Sequence, residues 1–338
     1  MKPPASSSSP EKGDPVSALI RASGGRESLD PERKARMHEK VRRDWQAAME
    51  RRRRARRWIV AAVATLAAIA ILPWVWISLR GPENVGAILR ITGTPLLKRD
   101  HGSTPQPLAT YPSIQSGDEI TTETGARVLL DLLDHTTVRL DEQSAVQVVS
   151  DDAIRLVRGA LYIESPEQSQ ASRSLKLLTT FGTVRHVGTR FEVRIVDNSL
   201  RVRVRDGTVS FKISSGTQRL MKTGEELLAR DNVVQIRRGP ATADSAWAWT
   251  QQIRPAFAIE DRSLEETLTW LAHEGGYHLV YASDAVRSRA RSTILHGTID
   301  DLSSQGAFET VLAGGELQGR IEGERALISA DMSADVAP

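Results

Sequence analysis

The pattern of apolar and polar positions falls into three regimes. From Trp58 to Leu79, WIVAAVATLAAIAILPWVWISL, no charged residue interrupts 22 consecutive positions. About 20 such residues, each adding about 1.5 Å, carry a helix across a bilayer. Residues 58–79 are therefore expected to form one transmembrane helix, with Trp58, Trp74 and Trp76 as interfacial anchors. Arg51, Arg52, Arg53, Arg54, Arg56 and Arg57 stand directly before it, and only Arg80 follows. That asymmetry places the N-terminal side in the cytoplasm and the remainder beyond the membrane. The run begins 57 residues in, is long for an export signal and lacks a small-x-small cleavage site, so it reads as an anchor.

Over residues 80–238 the period drops to two. Short alternating runs cover Val85–Ile91, Glu119–Thr122, Arg127–Leu133, Thr137–Leu140, Ala145–Val149, Ala153–Val157 and Ala160–Glu164. Further runs cover Leu175–Thr180, Arg190–Val196, Leu200–Arg205, Thr208–Ile213, Glu226–Ala229 and Val233–Arg237. Asp197–Asn198 and Asp206–Gly207 read as hairpin turns. In RVRVRDGTVSF, Arg201, Arg203 and Arg205 alternate with Val202 and Val204, which predicts one buried and one wet face. Many evenly spaced strands without helices predict an all-β sandwich, roll or solenoid-like stack. Glycines inside strand-like runs mark bulges or close backbone approaches.

A bridge over residues 239–250 leads to a third regime at 251–330, with a tail at 331–338. Phe257–Ile259, Tyr277–Tyr281 and Ile294–Ile299 read as strands, as do the two arms of a hairpin, Glu316–Ile321 and Ala326–Ile328. Ser263 and Glu266 form a capping box before a helix that Gly275–Gly276 stops. A second helix spans Leu302–Leu312. The order β-α-β-β-α-β-β predicts a small α+β domain.

The arm, residues 1–57, begins with a Pro/Ser/Gly-rich stretch expected to be disordered. Asp30–Pro31–Glu32 then starts a helix, on which Met37, Val41, Trp45 and Ala48 share one narrow side. Such a stripe suits either a solvated juxtamembrane helix or a partner-binding helix, with Met37, Val41 and Trp45 as contacts.

Charge sharpens this division. The whole chain carries +3, but residues 1–57 hold 16 Lys/Arg against 8 Asp/Glu, a balance of +8, leaving −5 for the rest. The basicity thus belongs to a short arm beside an anionic leaflet and not to a nucleic-acid surface. The absence of cysteine excludes disulfides, thiolate zinc sites and cysteine nucleophiles. No catalytic constellation, metal-ligand spacing or phosphate-cradling loop is evident, so neither enzyme activity nor a cofactor is expected. His273 and His278 read as surface or packing residues. Asp131, Asp134 and Asp141 read as turn and strand-edge acids.

VGTRFEV (Val187–Val193), GARVLLDLLDHTTVRLDEQSAVQV (125–148), RLVRGALYIE (155–164) and RVRVRDGTVSF together resemble the FecR family of transmembrane sigma-factor regulators. Gly159, Gly188, Thr189, Phe191 and Gly207 carry the signature, and His135 stands where the family usually has a turn glycine. The C-terminal FAIEDRSLEETLTWLAHEGGYHLVY resembles the secretin and TonB short N-terminal domain. The resemblance implies a single-pass inner-membrane anti-sigma factor with a periplasmic C-terminal side. It would bind an extracytoplasmic-function sigma factor and receive a signal, of the iron-transport kind, from an outer-membrane TonB-dependent receptor. It also suggests stepwise cleavage by envelope proteases near the membrane helix. The competing expectation is an anchored periplasmic scaffold or binding protein with a passive arm.

Overall fold

The computed structural model describes Glu39 and residues 84–99, 103–132, 135–166, 175–214, 216–231, 233–300 and 302–330. Met37, Val41 and Trp45, the expected span with Trp58, Trp74 and Trp76, and the tail lie outside them. Among the described residues no helix is long and apolar enough to cross a membrane.

Before residue 239 the described strands are β1 (Asn84–Thr92), β2 (Leu96–Lys98), β3 (Gln106–Pro107), β4 (Ile114–Gln115), β5 (Glu119–Thr121), β6 (Arg127–Leu132), β7 (Thr136–Leu140) and β8 (Ala145–Ser150). They continue with β9 (Ala153–Glu164), β10 (Lys176–Thr179), β11 (Gly182–Val196), β12 (Ser199–Ile213), β13 (Gln218–Lys222), β14 (Glu225–Arg230) and β15 (Val233–Arg238). All belong to one hydrogen-bonded sheet whose main path runs β15-β14-β12-β11-β10-β9-β7-β6-β1-β4. Long strands hold it together by changing partners along their length. β12 pairs with β14 through Leu200–Arg203 and with β13 through Thr208–Lys212. Val85 on β1 and Leu227 on β14, from opposite ends of the path, share one buried core with Phe191, Val202 and Phe211. Of the expected architectures, a rolled sheet around one core describes this domain.

The long strands also correct the expected boundaries. Ala153–Val157 and Ala160–Glu164 are one strand, continuous through Gly159. Asp197–Asn198 is the hairpin turn expected, both residues being left-handed (φ 49° and 57°) between Val196 and Ser199. Asp206–Gly207 is not a turn. It lies within β12, where the pairing with β11 slips between Val187 and Phe191. The bulge reverses the alternation: Leu200, Val202 and Val204 face the core before it, and Val209 and Phe211 after it. His135, at the usual turn-glycine position, takes the left-handed backbone itself (φ 57°).

Gly159 is required twice over. Its φ is +82°, and a Cβ there would lie 2.3 Å from Ser144 Oγ and 2.4 Å from Ser144 Cα. Gly159→Ala is expected to cost at least about 2 kcal/mol, from left-handed strain plus overlap with backbone. Urea denaturation reads this, and a loss below about 0.5 kcal/mol, the level of an ordinary surface change, would show that the contact relaxes freely.

The face expected to be wet is largely covered. Arg205 is 1% exposed. Arg201 and Arg203 join an ion ladder in which Asp141 holds Arg127 (3.0 Å) and Arg194 (2.8 Å), Glu192 holds Arg201 (3.0 Å), and Glu226 holds Arg203 and Arg237. The covering comes from residues 239–254. Asp244 caps a tight turn at Ser245–Trp247 that runs into α1 (Ala248–Gln252). Trp247 packs edge-on to Tyr162 with ring centroids 6.0 Å apart. Trp249 donates its indole N–H to Glu192 at 2.8 Å.

The C-terminal module contains β16 (Arg262–Ser263), α2 (Leu264–Gly275), β17 (His278–Tyr281), α3 (Asp284–Ser292), β18 (Ile294–Leu295), α4 (Ser304–Gly314), β19 (Leu317–Glu322) and β20 (Arg325–Ala330). β17, β20 and β19 form one sheet and β16 and β18 another. The Ser263–Glu266 capping box is present, and Gly276 ends α2 in the left-handed conformation. Two expectations are corrected. Phe257–Ile259 is not a strand, since it has no ladder partner; Phe257 instead stacks on Trp270 at 4.6 Å. α3 was not expected, because only Val286 and Ala290 of its residues are buried. Ile259, Leu268, Phe308 and Ile328 belong to a second core, separate from that of the β domain.

Candidate functional site at the junction of the two cores

Because the cores are separate, polar side chains make the junction between them. Arg139 projects from β7 at a position alternating with buried Val138 and Leu140. It is 1% exposed and grips Glu274, near the end of α2 and 4% exposed, with both terminal nitrogens (2.8 and 2.9 Å). It also donates to the Thr250 carbonyl at 2.9 Å and to Glu164 at 3.2 Å. One guanidinium therefore ties together the β domain, the bridging helix and the C-terminal module. Burial disfavours its charge, but Glu274 and Glu164 more than compensate and keep it protonated. Burial likewise opposes ionisation of Glu164, yet His273, Arg139 and Arg190 hold it at about 2.

A second strut lies beside the first. Arg190 of β11 donates to the His273 carbonyl at 2.6 Å and pairs with Asp206 at 3.3 Å. His273 Nε2 meets Glu164 Oε1 at 2.5 Å. Clefts of about 540 and 430 Å³ open on either side of this strut, both lined by Arg190, Asp206 and His273. Arg205 closes the junction by donating to the Thr242 carbonyl at 2.7 Å, while the Thr242 N–H donates to Glu324 at 2.8 Å.

Among the signature residues, the fold brings Gly188, Thr189 and Gly207 together at facing bulges. A Cβ on Gly207 would lie 2.7 Å from the Gly188 carbonyl oxygen and 2.6 Å from Thr189 Cγ2. Phe191 is buried beside them with its ring 5.0 Å from His186. Gly159 lies apart, against Ser144. His186 is buried, its Nδ1 3.0 Å from Ser165 Oγ, and burial pulls its pKa down to about 4.

His273 was expected on the surface or in packing; it takes part in the junction. Asp141 is a bridge between arginines. Arg139, Glu164, Glu274 and His186 carry no local motif, and their importance appears only once distant strands and helices meet. Among the described residues Glu260, Asp261 and His296 place possible metal-ligating atoms within 4.8 Å of one another, all on exposed side chains.

The fold and junction thus define a rolled β domain with a polar-docked α+β module. Residues 118–210 match the model of the FecR protein family. No curated relative matches the chain. Two crystal structures of a candidate anti-sigma factor from Parabacteroides distasonis ATCC 8503, at 2.50 and 1.65 Å resolution, align over 63% of this chain and 98% of theirs. They do so at 16% identity and TM-scores of 0.34 and 0.35. A likeness of that size does not establish a common fold.

Proposed function

We propose that the chain is a membrane-anchored anti-sigma regulator. The observation that carries this reading is the FecR match over residues 118–210. The uncharged run at 58–79 behind six arginines supports a single span with a cytoplasmic arm. In this reading Met37, Val41 and Trp45 hold an extracytoplasmic-function sigma factor. The β domain and the C-terminal module, similar to the secretin and TonB short N-terminal domain, lie in the periplasm and meet the signalling domain of a TonB-dependent receptor. A single span offers no second path for the message, so a change in the periplasmic part, or stepwise cleavage by envelope proteases, must alter what the arm binds.

Trp45→Ala combined with Val41→Asp is expected to abolish capture of the cognate sigma factor in a pull-down from cell extract. Undiminished capture would remove the arm from the proposal. Deleting residues 1–50 separates a regulator, which loses its effect on transcription, from an anchored scaffold, which keeps its envelope complexes.

A further inference from the structure

The outward face of the β domain changes character at the paired bulges. On the Asp197–Asn198 side, the arginines of β11 and β12 are matched with carboxylates, as Arg194 and Arg201 are with Glu192. Beyond the bulges the same face presents Arg185 on β11 and Lys212 on β12, neither of which has a carboxylate partner among the described residues. Arg155, on β9, joins them, and its hydrogen-bond partner is the neutral Gln147 side chain. These three cations line a cleft of about 620 Å³ with Thr183, Ser210 and Gln218, and no Asp or Glu lines it.

Register fixes their spacing. Arg155, Leu178, Thr183, Lys212 and Gln218 form one row across five strands. Arg155 and Lys212 are three strand spacings apart, about 14 Å at the backbone. Arg185 pairs with Ser210 and so lies diagonal to Lys212, about 7–8 Å away. Three uncompensated cations at such intervals, in a concave site, favour a ligand with several negative groups. The guanidinium forks match phosphate oxygens, and the hydroxyls and the Gln218 amide suit neutral hydroxyl groups between them.

We propose that this cleft, formed by Arg155, Arg185 and Lys212, binds a soluble hydrophilic oligophosphate, of the kind found in phosphorylated saccharides. The site does not depend on the sigma-factor reading.

Inorganic tripolyphosphate, titrated by calorimetry into the full-length chain in a neutral detergent at low ionic strength, tests it. Saturable one-to-one binding is expected. Arg185→Gln with Lys212→Gln should weaken it about tenfold or more, since two charge-assisted hydrogen-bond donors are lost. Arg185→Lys with Lys212→Arg should retain most of the affinity. Arg219→Gln with Lys222→Gln, on neighbouring β13 outside the cleft, should leave it unchanged. An equal loss in that last variant would reduce the interaction to diffuse charge and overturn the proposal. So would non-saturable binding, or binding confined to phosphatidylglycerol vesicles. Circular dichroism of each variant, expected to match the parent for these exposed positions, ties any loss to the cleft.

Discussion

Arg139→Met is expected to destabilise the chain by about 3–5 kcal/mol, because it leaves Glu274 buried without its ion-pair partner. Glu274 is 4% exposed, and both of its oxygens are held by Arg139. The Thr250 carbonyl loses the same donor. The damage should fall on the junction, because neither apolar core contains these residues. Urea unfolding should therefore separate into two transitions, and proteases should cut between the modules before either core yields. The double change Arg139→Met with Glu274→Leu should recover much of the loss, since an apolar pair of similar volume often replaces a buried ion pair at little cost. A single cooperative transition with a loss below about 1 kcal/mol, the range of an exposed ion pair, would mean that the contact is incidental.

The second large effect concerns pH. His186 is held near pKa 4 by burial, against about 6.5 in an unfolded chain. The unfolded state then binds the proton more readily between those values. Stability from this group is complete above pH 6.5 and is lost as pH falls through 4, by about 3 kcal/mol in total. Glu164, held at about 2, acts in a lower window: its contribution is full above the ordinary glutamate value and disappears as pH falls towards 2. Stability measured from pH 7 to 4 should thus decline steeply in the parent chain. In His186→Leu that decline should flatten, although the Ser165 hydroxyl then loses its imidazole partner and keeps only the Thr189 N–H. Parallel pH profiles for the two chains would show that His186 is not the group responsible.

The features legible in the sequence were those fixed within a few residues. Asp197–Asn198 forms its turn because both side chains tolerate left-handed backbone. Ser263 and Glu266 cap α2 across a single turn. Asp206–Gly207 gives the same local signal as a turn, but the pairing of β11 decides between turn and bulge, and that pairing is not local. Phe257–Ile259 has the extended alternation of a strand but finds no neighbouring strand. α3 escaped because a helix with two buried residues leaves almost no apolar stripe. The junction was hidden for a stronger reason. Arg139 and Glu274 are 135 positions apart, and a strand arginine beside Val138 looks the same whether it meets water or a carboxylate.

The facing bulges also set which length changes the hairpin can survive. A one-residue deletion in β11 alone, on either side of Gly188, would turn half of that strand over, driving Arg185 inward and Val184 out. The same holds for Lys212 and Phe211 if β12 is shortened alone. Insertions and deletions in these two strands should therefore persist in descendants only as matched events at both bulges. Drift in the length of this hairpin would then proceed by paired steps, while the Asp197–Asn198 loop remains free to grow or shrink alone.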